Sequence, residues 1–72
     1  MTNTDALNKR IKASGLKKSY IAKVLCMAPS SLAHKIANRR EFRASEIEAL
    51  CDLLGIESPE ERMNIFFAEK VA

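Results

Sequence analysis

The sequence predicts an all-α protein that folds as a compact five-helix bundle. No stretch alternates apolar and polar residues as a half-buried strand would, whereas apolar residues recur three and four positions apart along most of the chain. Residues that favour helix starts and helix ends separate these stretches. With 72 residues, the chain is expected to form one domain over residues 1–72, with too small a core to hold a deep enzyme pocket as well.

The first helix is predicted to run from Asp5 to about Ala13. Asn3 and Thr4 stand at its start, and either side chain can accept a hydrogen bond from a free N–H group of the first turn. Leu7 and Ile11 lie four residues apart and therefore share the face that we expect to enter the core.

The second helix is predicted from about Lys18 to Leu25, after a turn in which Gly15 can adopt the left-handed conformation typical of helix ends. Ile21 and Leu25 define its inner face. Tyr20 and Val24 lie beside them and are expected to pack with the core.

The third helix is predicted over residues 29–37. Pro29 suits a first helical turn, because the N–H group that proline lacks has no partner there. Leu32 and Ile36 lie four residues apart and form the inner edge of this helix.

A loop over residues 38–43 leads to the fourth helix, for which Ser45 and Glu48 form a predicted capping box. Gly55 is expected to end this helix, and Ser58 to cap the fifth. The expected core residues of this half, including the aromatic residue that pins the loop, are Phe42, Ile47, Leu50, Cys51, Leu54, Met63, Phe66, Phe67 and Val71.

The charges of the chain are divided unevenly between its two parts. Residues 1–43 carry ten basic and two acidic side chains, a net charge of +8, and residues 44–72 carry two basic and seven acidic ones, a net charge of −5. A cationic half joined to an anionic half indicates a polyanionic partner at one end of the molecule. The alternative is a solvated surface of mixed charge.

The third helix has a narrow outer edge of small and polar residues. At 100° per residue, Ser30, Ala33, His34 and Ala37 fall together opposite the inner edge. Small side chains let a helix approach a surface closely, alanine methyl groups can contact thymine methyl groups, and serine and histidine can bond base edges in a major groove. We therefore predict that Ser30, Ala33 and His34 read bases of double-stranded DNA. The alternative for His34 is a surface residue without a role.

Polar and cationic residues surround this edge and are the predicted phosphate contacts. They are Lys17, Lys18, Ser31, Lys35, Asn38, Arg39, Arg40 and Arg43. Two alternatives stay open: Ser31 can be a helix-start residue that competes for backbone donors, and the three arginines can be solvated loop charges.

Residues Lys18 to Ile36 resemble the helix-turn-helix of the lambda-repressor-like, Cro/C1-type DNA-binding domains. The matching landmarks are Ile21-Ala22 within the first helix of the motif, Leu25 near its end and Leu32 in the second helix. The five-helix plan is similar as well, so the resemblance covers nearly the whole chain. Within this family, the chain most resembles short phage and prophage proteins, which end in a helix with a double phenylalanine, here Ile65-Phe66-Phe67.

This resemblance implies a sequence-specific transcriptional regulator, such as a repressor, that binds a DNA operator, usually as a homodimer, in a phage or its host. It also implies that Ser30 and His34 read bases and that Lys18 contacts a phosphate. Two positions depart from the family pattern: Cys26 replaces the usual glycine of the turn, and Ala28 replaces the usual Ser or Thr cap. Each departure costs about 1 kcal/mol, so we expect either strain or altered geometry in this turn.

Phe66 and Phe67 are the candidates for a dimer interface. Adjacent helical positions point about 100° apart, so one ring can close the core while the other lies on an exposed apolar patch.

The remaining features favour a reduced, cytoplasmic protein. Cys26 and Cys51 are too few for a disulfide scaffold, and their apolar surroundings predict reduced, buried thiols, although a single bridge between them stays open. The first ten residues lack the apolar segment of a signal peptide, and no apolar run approaches the roughly 20 residues of a membrane span.

Enzymatic activity is not expected, and neither is a metal, a cofactor or a small-molecule substrate. The sequence has no glycine-rich phosphate loop, no readable Ser/His/Asp arrangement and no zinc-finger spacing of its cysteines. The main alternative to DNA binding is a protein-interaction module, antirepressor or antitoxin-like, that uses the acidic half and its two phenylalanines. RNA binding is less favoured, because Tyr20 and Phe42 are both expected in the core and not on a stacking surface.

Overall fold

Five α-helices form the protein in a computed structural model that describes residues 1–68. They are α1 Thr4–Ser14, α2 Lys18–Val24, α3 Pro29–Ile36, α4 Ala44–Leu54 and α5 Pro59–Phe66. Residues 1–68 contain no strand, and none of these helices combines the length and apolar character needed to cross a bilayer. The predicted all-α class and the five helices are confirmed.

The core is built around α1, which packs against α3, α4 and α5, whereas α2 packs mainly against α3. Leu7, Ile21 and Leu50 are completely enclosed. The rings of Phe42 and Phe66 meet edge to face, with centroids 5.6 Å apart, and so close the core between the α3–α4 loop and α5.

Several residues that were expected in the core lie at the surface instead. They are Tyr20, Val24, Met63 and Phe67, with 42–57% of their surface exposed, and Cys26. On α2 only Ile21 and Ala22 are buried, because this short helix packs on one side. The face that it buries is therefore narrower than the spacing of its apolar residues suggested. Val71 lies outside the described residues.

The two thiols differ in environment, and both are free. Cys51 is buried in α4 as predicted, and burial raises the pKa of its thiol. Cys26 is exposed, because it belongs to the turn after α2 and not to a helix face.

The residues that cap α1 and α5 are as predicted, whereas the start of α4 differs from its prediction. Asn3 caps α1, and Ser58 caps α5 by accepting a hydrogen bond from the N–H group of Glu61. In contrast, the predicted Ser45–Glu48 box is wrong: α4 begins after Arg43, whose N–H group donates to Glu46 Oε1 over 2.8 Å.

Three helices end in the same hydrogen-bonded motif with a left-handed residue. The residues are Cys26 after α2, Asn38 after α3 and Gly55 after α4, with φ of 56°, 65° and 71°. In each case the next residue donates its N–H to the carbonyl five positions earlier, over 2.8–3.0 Å, as in a Schellman motif. Cys26 therefore has the left-handed conformation that is unfavourable for any residue with a side chain, and Ala28 precedes α3 without a side-chain cap, as predicted.

Replacing Cys26 by glycine is expected to raise the free energy of unfolding by about 0.5–1 kcal/mol. Glycine adopts positive φ without steric cost, which outweighs the greater freedom that it gives the unfolded chain. Chemical denaturation of both proteins measures the change. Ala13→Gly, at an exposed helical position near the end of α1, is the control and is expected to destabilise, because glycine is unfavourable inside a helix. Equal or lower stability of Cys26→Gly would contradict the assignment of strain.

Candidate nucleic-acid interface

The outer edge of α3 is the first part of the candidate site. Ser30, Ala33 and Ala37 are exposed, while Leu32 and Ile36 on the opposite side are buried. The predicted orientation of this helix is therefore correct. His34 departs from it in part, because it is half-buried and not fully exposed.

Exposed cations form the second part of the site. Of the ten basic side chains in residues 1–43, eight are exposed, namely Lys9, Lys12, Lys17, Lys18, Lys23, Arg39, Arg40 and Arg43. Five of the predicted phosphate contacts are among them: the two lysines at the start of α2 and the three arginines between α3 and α4. Ser31 is half-buried in the first turn of α3.

Lys35 does not belong to this exposed group, which corrects its expected placement beside the outer edge. Its ammonium nitrogen lies 2.6 Å from Glu46 Oε1, and both side chains are largely buried, with 11% and 16% exposed. Burial alone would raise the pKa of Glu46. The hydrogen bonds from Lys35 and Arg43 and their positive charges outweigh this effect, so the pKa of Glu46 lies below its ordinary value. The pair joins α3 to α4.

The side-chain amide of Asn38, another predicted phosphate contact, is hydrogen-bonded within the protein. The residue is exposed, but its amide group is occupied by the N-terminal segment. Its Oδ1 accepts a hydrogen bond from the N–H group of Thr2 over 2.8 Å, and its Nδ2 donates to the carbonyl of Thr2 over 2.6 Å.

Phe66 and Phe67 differ in exposure, so Phe67 is the one that is accessible to a partner. Phe66 is buried in the core and Phe67 is half-exposed, and both line a cleft of about 150 Å³ together with Met1 and the loop residue Glu41. Met63 on α5, four residues before Phe67, is exposed as well. The two phenylalanines therefore divide between core and surface, the arrangement that their adjacent positions allowed.

Two features of this region were missed from the sequence. Lys35 and Glu46 are eleven residues apart on different helices, so no local pattern pairs them. The role of Asn38 had a weak signal, because asparagine is the residue other than glycine that most readily adopts the left-handed conformation after a helix.

No protein-family model, curated protein or solved structure matches this chain. The function proposed below therefore rests on the residues themselves.

Proposed function

We propose that the protein is a sequence-specific, double-stranded DNA-binding transcriptional regulator. The observation that carries this proposal is the outer edge of α3, where Ser30, Ala33 and Ala37 are exposed opposite two buried residues. In the proposed complex this edge enters the major groove, where the small side chains allow close approach and Ser30 and His34 bond base edges. In this arrangement α2 and α3 act as a helix-turn-helix of the Cro/C1 type.

The exposed cations support a nucleic acid as the partner. Lys17 and Lys18 precede or begin α2, and Arg39, Arg40 and Arg43 follow α3, so cations flank the outer edge along the chain on both sides. In the complex these five residues contact phosphates and set the position of α3, while base contacts supply the specificity. Lys35 and Asn38 are left out of the proposed contacts, because their polar groups already have partners within the protein.

A homodimer is the proposed form that binds the operator. Met63 on α5 and Phe67 directly after this helix each expose more than half of their surface, and exposed apolar clusters in small domains usually mark interfaces. The same cluster supports the second candidate function, a protein-interaction module. Loss of duplex binding together with capture of a defined protein partner would favour that candidate.

The test is the salt dependence of binding to duplexes selected from a random pool. If each subunit contacts about four phosphates, a dimer should bind with a slope of roughly −7 when the logarithm of the association constant is plotted against that of the salt concentration. A palindromic consensus in the selected duplexes is expected for the dimer. Binding that is absent, or that does not change with salt, would refute the proposal.

Single substitutions separate the two kinds of contact. Arg40→Ala should weaken binding to all duplexes alike and reduce the magnitude of a dimer's salt slope by about 2, because each subunit loses one phosphate contact. His34→Ala should instead reduce the preference for the selected duplex over unrelated ones. Lys9→Ala removes the same charge from an exposed position of α1 outside the proposed contacts and is the control, with little expected change in either quantity.

A further inference from the structure

One side-chain amide makes two of the hydrogen bonds that attach the N-terminal segment to the end of α3. Asn38 accepts from the N–H group of Thr2 and donates to its carbonyl group, over 2.8 and 2.6 Å, so one side chain satisfies both backbone groups of that residue. Thr2 is only 7% exposed, and its backbone would otherwise lack partners in a partly buried position. This geometry also fixes which end of the amide is oxygen, because the reverse orientation would oppose two donors and two acceptors.

Three further hydrogen bonds hold the same segment in place. In one of them, Asn38 Nδ2 also donates to the hydroxyl oxygen of Thr4 over 3.3 Å. The hydroxyl group of Thr4 donates to the carbonyl of Ile36, in the last turn of α3, over 2.6 Å. The N–H group of Asn3 donates to the carbonyl of Ile65 in α5, also over 2.6 Å. Residues 2–4 therefore bridge the end of α3 and the end of α5.

The backbone of Asn38 also determines how the chain leaves α3. With φ of 65°, Asn38 is the left-handed residue of the Schellman motif, in which the N–H group of Arg39 donates to the carbonyl of His34 over 2.8 Å. The first arginine of the α3–α4 loop therefore directly follows, in the chain, the residue that binds the N-terminal segment.

We propose that Asn38 is a positioning residue for the DNA interface. By tying residues 2–4 to the end of α3, its amide fixes the direction in which Arg39 and Arg40 leave the helix toward phosphates. The left-handed conformation alone would be served better by glycine, which has no steric cost at positive φ. The amide accounts for asparagine at this position, because both of its polar atoms are used. This inference rests on the proposed function.

The experiment uses Asn38→Gly, which keeps the left-handed backbone and removes only the amide. Thr4→Val is the second variant, because it removes the hydrogen bonds of the Thr4 hydroxyl with Ile36 and Asn38. Thr2→Val is its matched control, because the bonds of Thr2 to Asn38 use backbone atoms alone. The first readout is hydrogen exchange at the Arg39 amide in the free protein. The second is the ratio of affinities for the selected duplex and an unrelated duplex at the same salt concentration.

Asn38→Gly is expected to speed exchange at Arg39 by about tenfold and to lower the affinity ratio about five- to tenfold. Binding to the unrelated duplex, which depends on charge, should change less than twofold. Thr4→Val should act in the same direction, and the double variant should be little worse than the stronger single variant, because both act on one attachment. Thr2→Val should match the original protein.

Unchanged exchange at Arg39 and an unchanged affinity ratio in Asn38→Gly would overturn the inference, as would fully additive effects in the double variant. If the original protein binds no duplex, the proposed function fails and the role of Asn38 at DNA fails with it. In that case, the exchange measurement still decides whether the amide holds the end of α3.

Discussion

Ala33→Glu is expected to weaken binding to the selected duplex at least about 100-fold, which corresponds to about 2.7 kcal/mol. Ala33 lies at the centre of the exposed edge of α3, where the proposed contact with the groove leaves room only for a small side chain. A glutamate there adds both length and a negative charge, and like charges brought together across an interface cost several kcal/mol. Titration of a labelled duplex at fixed salt measures the loss.

Two controls separate this effect from charge and from folding. Asn64→Glu adds the same charge at an exposed position of α5 and should change the affinity less than threefold or so, since long-range repulsion is screened by salt. The free energy of unfolding of Ala33→Glu should stay within about 0.5 kcal/mol of the original, because the position is exposed. Retained binding by Ala33→Glu would mean that this edge does not face the duplex.

Glu46→Ala is expected to lower the free energy of unfolding by about 2–3 kcal/mol. The substitution leaves the ammonium group of Lys35 largely buried without its partner and removes the acceptor for the N–H group of Arg43. Breaking a fully buried ion pair costs about 3–5 kcal/mol, and the 11–16% exposure of these two side chains places the expected cost at the lower end or below it. Urea denaturation of the purified variant measures this cost.

Glu48→Ala is the matched control for this change, because Glu48 is exposed two residues further along α4. Its effect should lie within about 0.5 kcal/mol. The double variant Lys35→Met/Glu46→Leu should recover most of the loss, because apolar side chains of similar size can replace a buried pair at little cost. A double variant as unstable as Glu46→Ala would show that the cost does not come from the unpaired ammonium group.

The same pair gives the stability a defined dependence on pH. The pKa of Glu46 is lower in the folded protein than its ordinary value of 4.5, so the unfolded chain binds the proton more readily. The stabilisation is therefore fully present above about pH 4.5 and is lost as the pH falls through the lower pKa of the folded state. Glu46→Gln should flatten the stability profile in this acidic range, and an unchanged profile would contradict the role of the carboxylate.

The order and type of the helices could be predicted because they depend on local signals. Apolar spacing set the buried faces of α1 and α4, and Gly55 ends α4 through its own backbone preference for the left-handed conformation. The outer edge of α3 followed from the same periodicity, since a helix with Leu32 and Ile36 inside must turn Ala33 and Ala37 outward. Tyr20 was wrongly predicted in the core, because periodicity gives the direction of a side chain but not how much of the helix the neighbouring elements cover.

Local signals in the sequence were therefore enough to predict the helical architecture and the outward face of α3, both of which depend on residues within a turn or two of one another. Which polar groups remain free for a partner depends instead on how the helices pack. Lys35 meets Glu46, and Asn38 meets Thr2 thirty-six residues away, because the packing of the helices brings together groups that no local spacing relates. Once largely buried, the charged pair stays together because separating it would leave a charge without water or a counter-ion, and the amide of Asn38 stays on Thr2 because the backbone groups that it binds have few other partners.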